Sequence, residues 1–351
     1  MTGGHVRPAR RRLRRAGMAG AAAAAALAVA ASAAAVVDST GAAPEAATAA
    51  AAAGANSPGG SNYNFYRLDG CNREPYGVLK NFHTKRDLIT DQLTEMHANG
   101  QRRLILGIFH RNGPETGTVM DSSGGDIKEQ YKQNLADLLA TADDIGFAEV
   151  EVAMHVLGGN SPNGWDSWHE DLYQENWQLI QKIRPIVRNS GIHYRLNLGN
   201  ELTPAPNQPQ TLAYTQRLWD DYTAAYGKGD TVGFSIIGSR PERIAAIPDM
   251  YGGDPPHLFD FHFYGDDSAD EYEQFTAAHR QMAEMGYDQG WVVGETYYND
   301  AAAADRIDRA IADTGREVYW LTQWPLTRDR GCDHVDVAPP AEFDAFAGAG
   351  F

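Results

Sequence analysis

Two glutamates end two separate strand-like runs, His193-Tyr194-Arg195-Leu196-Asn197-Leu198-Gly199-Asn200-Glu201 and Trp291-Val292-Val293-Gly294-Glu295. Each run is apolar or alternating, stops at a carboxylate and gives way to polar loop. Two carboxylates facing across one cleft are the minimum for cutting a glycosidic bond. One protonates the leaving oxygen while the other attacks the anomeric carbon or activates water. Carboxylates this far apart in sequence meet only where a fold collects its strand ends on one side, as a parallel barrel does.

The elements needed to position them are legible. Strands are predicted at Asn64–Asp69, Leu104–His110, Glu149–His155, the run ending at Glu201, Thr231–Ile237, Leu258–Tyr264, the run ending at Glu295, and Glu317–Trp324. Helical patterns alternate with them at Thr84–Ala98, Ile127–Ile145, Leu172–Arg188, Gln210–Ala225, Pro241–Met250, Glu271–Met285 and Ala301–Ala312. Thr84 with Asp87 has capping-box spacing. A short closing helix is expected at Ala341–Phe346. Eight strand units alternating with helices imply a single α/β domain, a (β/α)8 TIM barrel. A doubly wound open sheet would carry a Gly-rich phosphate loop in its first turn, and none is present.

In such a barrel the C-terminal strand ends face the substrate. Here they hold His110, His155, Asn200, Glu201, His262, Tyr264, Glu295 and Trp324. Polar and aromatic side chains at nearly every strand end suit a sugar, whose hydroxyls need donors and acceptors and whose ring faces stack on aromatics. Trp165 and Trp168, in the loop after the third strand, either extend that groove or pack the loop.

These residues resemble those of the retaining glycoside hydrolases of clan A, the cellulase-like and mannanase-like barrels. The resemblance spans roughly residues 64–326. It implies that Asn200-Glu201 holds the acid/base, that Glu295 is the nucleophile, and that His155, His262, Tyr264 and Trp324 line the substrate site. Asn200 would contact the sugar 2-hydroxyl. Glu201 would need a raised pKa, which the charge of Glu295 is expected to supply. Cellulase-like members also carry an arginine inside strand two. Ile105 stands near that register here, and His110-Arg111 end the strand. The implied activity needs no cofactor and takes a poly- or oligosaccharide, with a β-glucan or mannan favoured. α-L-Arabinofuranosides, galactosides, transglycosylation, or a binding barrel without turnover remain open. Endo or exo action depends on the loops over 111–126 and 158–170.

Other chemistries fit less well. No His-x-His or His-Glu-x-x-His spacing marks a metal site, so none is expected. No Gly-x-Ser-x-Gly elbow marks a serine hydrolase.

The chain has 351 residues and a formal charge of −16. Six arginines between Arg7 and Arg15 precede an alanine-rich run over residues 19–37, with Ala31-Ser32-Ala33 as a cleavage signal. Residues 1–37 are therefore expected to be an export signal leading to secretion, with twin-arginine and general routes both open. A membrane anchor is the alternative for this run. Residues 38–60, poor in large apolar side chains, are expected to be a disordered linker, and residues 61–351 the barrel. This barrel segment carries −20, which disfavours nucleic acid and anionic lipid as partners. The two cysteines, Cys71 and Cys332, follow the first and eighth strands, neighbours in a closed barrel. A disulfide is expected between them, with two free thiols as the alternative. Period-two alternation turns Glu151 and Arg195 inward on adjacent strands, which predicts a buried ion pair.

Overall fold

The computed structural model describes residues 57–68, 73, 75–328 and 337–351. The expected export signal, most of the linker, and both Cys71 and Cys332 lie outside the described residues.

Among the described residues, ten strands form one sheet. They are β1 (Gly60–Asn62), β2 (Arg103–Arg111), β3 (Met120–Asp121), β4 (Glu149–Val156), β5 (Tyr194–Gly199), β6 (Thr231–Phe234), β7 (Ile236–Ile237), β8 (Leu258–His262), β9 (Gly290–Glu295) and β10 (Val318–Gln323). The pairing order is β6-β5-β4-β2-β1-β10-β9-β8-β7, all parallel, with β3 attached to β2. β7 continues β6 after a break at Ser235, so the sheet wraps into a near-closed (β/α)8 barrel. The main helices between strands are α1 (Val78–Ala98), α2 (Glu129–Ile145), α3 (Glu170–Arg188), α4 (Pro209–Tyr226), α5 (Pro241–Ile244), α6 (Ile247–Tyr251), α7 (Glu271–Glu284) and α8 (Ala301–Thr314). A last short helix, α9 (Asp344–Gly348), follows β10.

Local sequence explains the helix limits. Helix α3 buries Tyr173, Asn176, Leu179, Ile180, Ile183 and Val187, a stripe at three- and four-residue spacing, and its first turn is acidic. Helix α7 starts in a capping box in which Asp270 and Glu273 each accept the other's backbone N–H. Helix α8 starts at Asp300, whose side chain accepts from Ala303 N at 2.8 Å, and stops at left-handed Gly315.

Three expectations change. The first strand is Gly60–Asn62, four residues before the predicted start and one residue inside the segment read as linker. Its glycines are a packing requirement. A Cβ on Gly60 would lie 1.9 Å from the Arg103 carbonyl oxygen, and one on Gly59 1.9 Å from that of Leu321. Helix α1 begins at Val78, and Thr84 lies inside it, donating to Asn81 O at 3.0 Å instead of capping. Lys85 departs from helical geometry there, so the polar Thr84–Asp87 spacing marks a kink.

The third change concerns the barrel interior. Glu151 and Arg195 are register partners and both face inward, but they do not pair. Arg195 reaches one layer down, to Glu149 at 2.5 Å. Glu149 also meets Arg103 at 3.3 Å and accepts from Trp320 Nε1 at 3.1 Å. The long arginine side chain slopes towards the open bottom of the barrel, where its charge keeps some water. Burial raises the Glu149 carboxyl, but its bond to His193 and the charges of Arg195, His193 and Arg103 outweigh that and pull it down to about 2.

This lowered carboxyl gives a pH test. Its stabilisation is fully present above the unfolded value of 4.5 and is lost as pH falls through about 2. Glu149→Gln is expected to cost about 3 kcal/mol at pH 7, since each pKa unit is worth ~1.4 kcal/mol. The gap to wild type in urea denaturation should close between those two pH values. A gap independent of pH would refute the charge role.

Candidate active site

The site forms at the C-terminal ends of the strands. Glu201 follows β5 in the left-handed region at φ +53°, unusual for a side-chain-bearing residue. Ser235 Oγ accepts from its N–H at 2.7 Å and sits 3.4 Å from Asn200 Oδ1. The break between β6 and β7 thus supplies the group that holds this turn. Such a backbone costs roughly 1–3 kcal/mol and turns the carboxylate into the barrel mouth.

Glu295 ends β9. Gly294 before it must lack a side chain, because a Cβ there would lie 2.2 Å from Asp260 Oδ1. The Gly294 carbonyl accepts from Asn62 Nδ2 at 2.8 Å and from Thr322 Oγ1 at 2.5 Å. β1 and β10 therefore clamp the peptide just before Glu295.

His262 stands between the two glutamates. Its Nδ1 is 3.0 Å from Glu201 Oε1 and 3.4 Å from Glu295 Oε2, and its Nε2 faces Asp260 Oδ2 at 3.5 Å. The nearest atoms of Glu201, His262 and Glu295 all lie within 4.8 Å of one another. Tyr264 donates to Glu295 Oε2 at 2.9 Å. Tyr297 packs edge-on against Tyr264 at 5.0 Å, and Arg328 lies over Tyr297 at 4.6 Å. Arg328 also binds Asp300 and the fully buried Glu271, tying together the loops after β8, β9 and β10.

The charges follow from burial and neighbours. Burial disfavours a charged His262, but the carboxylates of Glu295 and Asp260 outweigh it and raise its pKa well above 6.5. Burial raises Glu295 to about 7, with Glu201's charge adding to it, while His262 and Tyr264 pull it down. Burial also raises Glu201, whose side chain is 37 % exposed, yet its bond to His262 and that charge leave it below 4.5. The sequence placed the raised pKa on Glu201. The raised value falls instead on Glu295, the more deeply buried of the two. Among the described residues, Glu201, His262 and Glu295 also converge closely enough to be weighed as a metal site. A protonated His262 offers no lone pair and repels a cation, which opposes that use.

The other expected residues divide. His155 stacks on Phe109 at 4.2 Å and lies 6.2 Å from Trp324, beside the glutamates. Burial pushes its pKa to about 3, so it is neutral. Trp324 is half-buried at the mouth. His110 is not brought there. It points to the helix side of β2, bonds Ser122 Oγ at 3.0 Å, and is held neutral by burial. Trp165 and Trp168 pack against each other and onto Tyr214 and Tyr173, tying their loop to α3 and α4. Strand two has Ile105 and Gly107 facing the interior where the resembled family keeps arginine. A Cβ on Gly107 would lie 2.6 Å from the Phe109 ring and 2.9 Å from His155. Sequence reading missed Arg73, over Trp324 at 5.7 Å and over Phe65 at 5.1 Å. It also missed Asp260, Asn197, Ser235 and Asn62. Asp260 did leave a signal, an acid two residues before His262 among three phenylalanines.

No family model matches the chain, and no curated protein sequence matches it. Solved structures do. It is similar to an exo-β-1,4-mannosidase from Opitutaceae bacterium strain TAV5, with 13% identity and a TM-score of 0.53 over 84% of this chain and 58% of that one. It therefore spans little more than half of that enzyme. A Pseudomonas stutzeri endoglucanase matches at 14% identity and TM-score 0.51, over 74% of this chain and 84% of the other. A family 5 xyloglucanase from Paenibacillus pabuli matches at 12% identity and TM-score 0.51, over 85% and 98%. At these identities the likeness establishes the (β/α)8 barrel that this chain shares with those glycoside hydrolases.

Tyr264→Phe removes a bond that lowers the Glu295 pKa, so Glu295 should titrate further above about 7. A pH titration of 13C-labelled glutamate carboxyls reads this directly. An unmoved or lowered midpoint would show that Tyr264 does not stabilise the ionised form.

Proposed function

We propose that the chain is a secreted, retaining glycoside hydrolase that cleaves a β-linked glucan- or mannan-type chain, with Glu201 as acid/base and Glu295 as nucleophile. The observation that carries this is the close pairing of Glu201 and Glu295 on one imidazole, with facing atoms within 4.8 Å. Retaining enzymes hold their carboxyls roughly 5 Å apart, whereas inverting ones leave roughly 6.5–9.5 Å for a water. The substrate class draws support from the mannosidase, endoglucanase and xyloglucanase named among the similar structures.

A bound sugar covers Glu201, now 37 % exposed, and adds to it the desolvation that already acts on Glu295. One proton on a coupled pair then moves to Glu201, and Glu295 becomes the anion that attacks. The Glu295 oxygen bonds the anomeric carbon as the glycosidic bond breaks and Glu201 protonates the leaving oxygen. Water then attacks that carbon, gives its proton to Glu201 and frees Glu295. Tyr264 and His262 stabilise Glu295 whenever it is charged. In this reading Asn200 and Trp324 hold the sugar.

The test is hydrolysis of glucan, mannan and xyloglucan by the purified barrel, with product anomers read by NMR. Wild type should release the retained anomer, and Glu295→Ala and Glu201→Ala should each lose at least about 10²-fold in rate. With azide, Glu201→Ala should yield a glycosyl azide of retained configuration and Glu295→Ala one of inverted configuration. The reverse pattern would exchange the two roles, and no cleavage of any glycan would reject the reading. The rate should also fall above pH 7, where the pair, with Glu295 at about 7, loses its proton.

A further inference from the structure

Directly below His262 lies a second carboxyl pair. Glu151 and Asp260 are both completely buried, on β4 and β8 across the barrel interior. Asn197 Nδ2, on β5, donates to Glu151 Oε1 at 3.2 Å and to Asp260 Oδ2 at 3.1 Å. Asn197 thus bridges the two carboxyls, and the charge of Asp260 acts on Glu151. Among the described residues, no group donates to Glu151 Oε2 or Asp260 Oδ1. Two ionised carboxylates cannot share one buried amide donor and leave those oxygens bare, since both desolvation and mutual repulsion oppose it.

We propose that Glu151 and Asp260 share a single proton, and that the remaining charge, carried by Asp260, fixes His262 as a permanent imidazolium serving Glu201 and Glu295 in turn. A proton on Glu151 turns one orphaned acceptor into a donor. It also leaves the anion on the partner that faces His262 Nε2 at 3.5 Å. Burial first, and the charge of Asp260 second, raise the Glu151 carboxyl well above its ordinary value, which agrees with Glu151 as the protonated member.

Every ionisable group around His262 fits this assignment. Glu201 and Glu295 face Nδ1, and Asp260 faces Nε2. His155, from β4, is neutral. Tyr264 donates to Glu295. The Arg73 charge is felt at Glu295 and that of Arg243 at Glu201, so neither takes the place of His262 between them. What the imidazolium does in turnover rests on the glycosidase reading; that it is charged does not. Before attack the anion is on Glu295. In the glycosyl-enzyme Glu295 is an ester and the anion is on Glu201. His262 Nδ1 reaches both oxygens, at 3.0 and 3.4 Å, so one fixed cation follows the charge without moving. Asp260 and Glu151 are thus positioning residues, acting through His262.

The experiment is 15N NMR of histidine-labelled protein, with the His262 signal identified by its loss in His262→Gln. Wild-type His262 is expected to be an imidazolium at pH 7.5. Asp260→Asn should make it neutral at that pH. Glu151→Gln puts a neutral amide where the neutral acid was and should leave it charged. A neutral His262 in wild type overturns the proposal, and so does its loss of charge in Glu151→Gln. If Asp260→Asn fails to fold, those two readings still decide. The measurement needs no substrate, so an inactive protein showing this pattern would sink the glycosidase reading alone. If the protein is active, Asp260→Asn should move the alkaline limb of the kcat profile to higher pH, because a neutral His262 no longer pulls the carboxyl pair down, with KM little changed. A uniform loss of activity without that shift would mark a merely structural role and count against the proposal.

Discussion

Everything at the centre of this barrel depends on how a low-dielectric interior tolerates acids. Barrel interiors are usually layers of branched apolar side chains. Here the inward positions hold Glu149 at the bottom, Glu151 and Asp260 in the middle, and Glu295 at the top, all buried. Charge repulsion inside a protein is several-fold stronger than in water. Each layer meets that constraint in its own way: guanidinium groups below, a bridging amide between, an imidazole above. The apolar side chains Ile105, Ala153, Val232, Leu258, Val292 and Trp320 fill the space left over.

The outer shell keeps this column in register. Phe261, Phe263 and Phe275 crowd Trp291 at 4.2 to 6.1 Å, locking α7 onto β8 and β9, the strands that carry His262 and Glu295. Burying such aromatic side chains contributes roughly 2–3 kcal/mol each. At the mouth, Arg328 joins three loops through Glu271, Asp300 and Tyr297, and Tyr297 in turn backs Tyr264. The position of a single carboxylate oxygen on Glu295 therefore depends on packing from three successive strand–helix units.

Much of this was legible in the sequence, because strand ends and inward parity are local properties. Glu201, Glu295, His262, Tyr264, His155 and Trp324 gather at one barrel mouth from five different strands. His110 went astray because β2 is buried on both faces, so its apolar run carries no alternation to show which side is the interior. Its pairing settles the matter: Phe109 stands opposite His155, and His110 takes the other face. The Glu151–Arg195 pair failed for a related reason. Parity gives the direction of a side chain, but the reach of arginine chooses the layer. The first strand was misplaced because glycines that allow contact at close quarters look, in composition, like glycines that allow freedom. Proton distribution was the least legible of all. It turns on how deeply each of two equivalent glutamates is covered, and that is a property of the whole mouth.

The closure of the barrel through β1 bears on when this protein becomes competent. β1 is only three residues long, yet it joins β2 to β10 and sends Asn62 to the carbonyl before Glu295, 232 residues away in the chain. Gln323 Nε2, 262 residues from Ser61, bonds its hydroxyl at 3.0 Å. Contacts of such sequence separation form late in folding, because the loop entropy must be overcome before they return anything. A growing chain can dock its early strands in order, but the first must wait for the last. The glutamate clamp is thus assembled only when the final strand arrives, so a chain still lacking its C-terminal strand–helix unit holds both acids without the contacts that fix the backbone before Glu295.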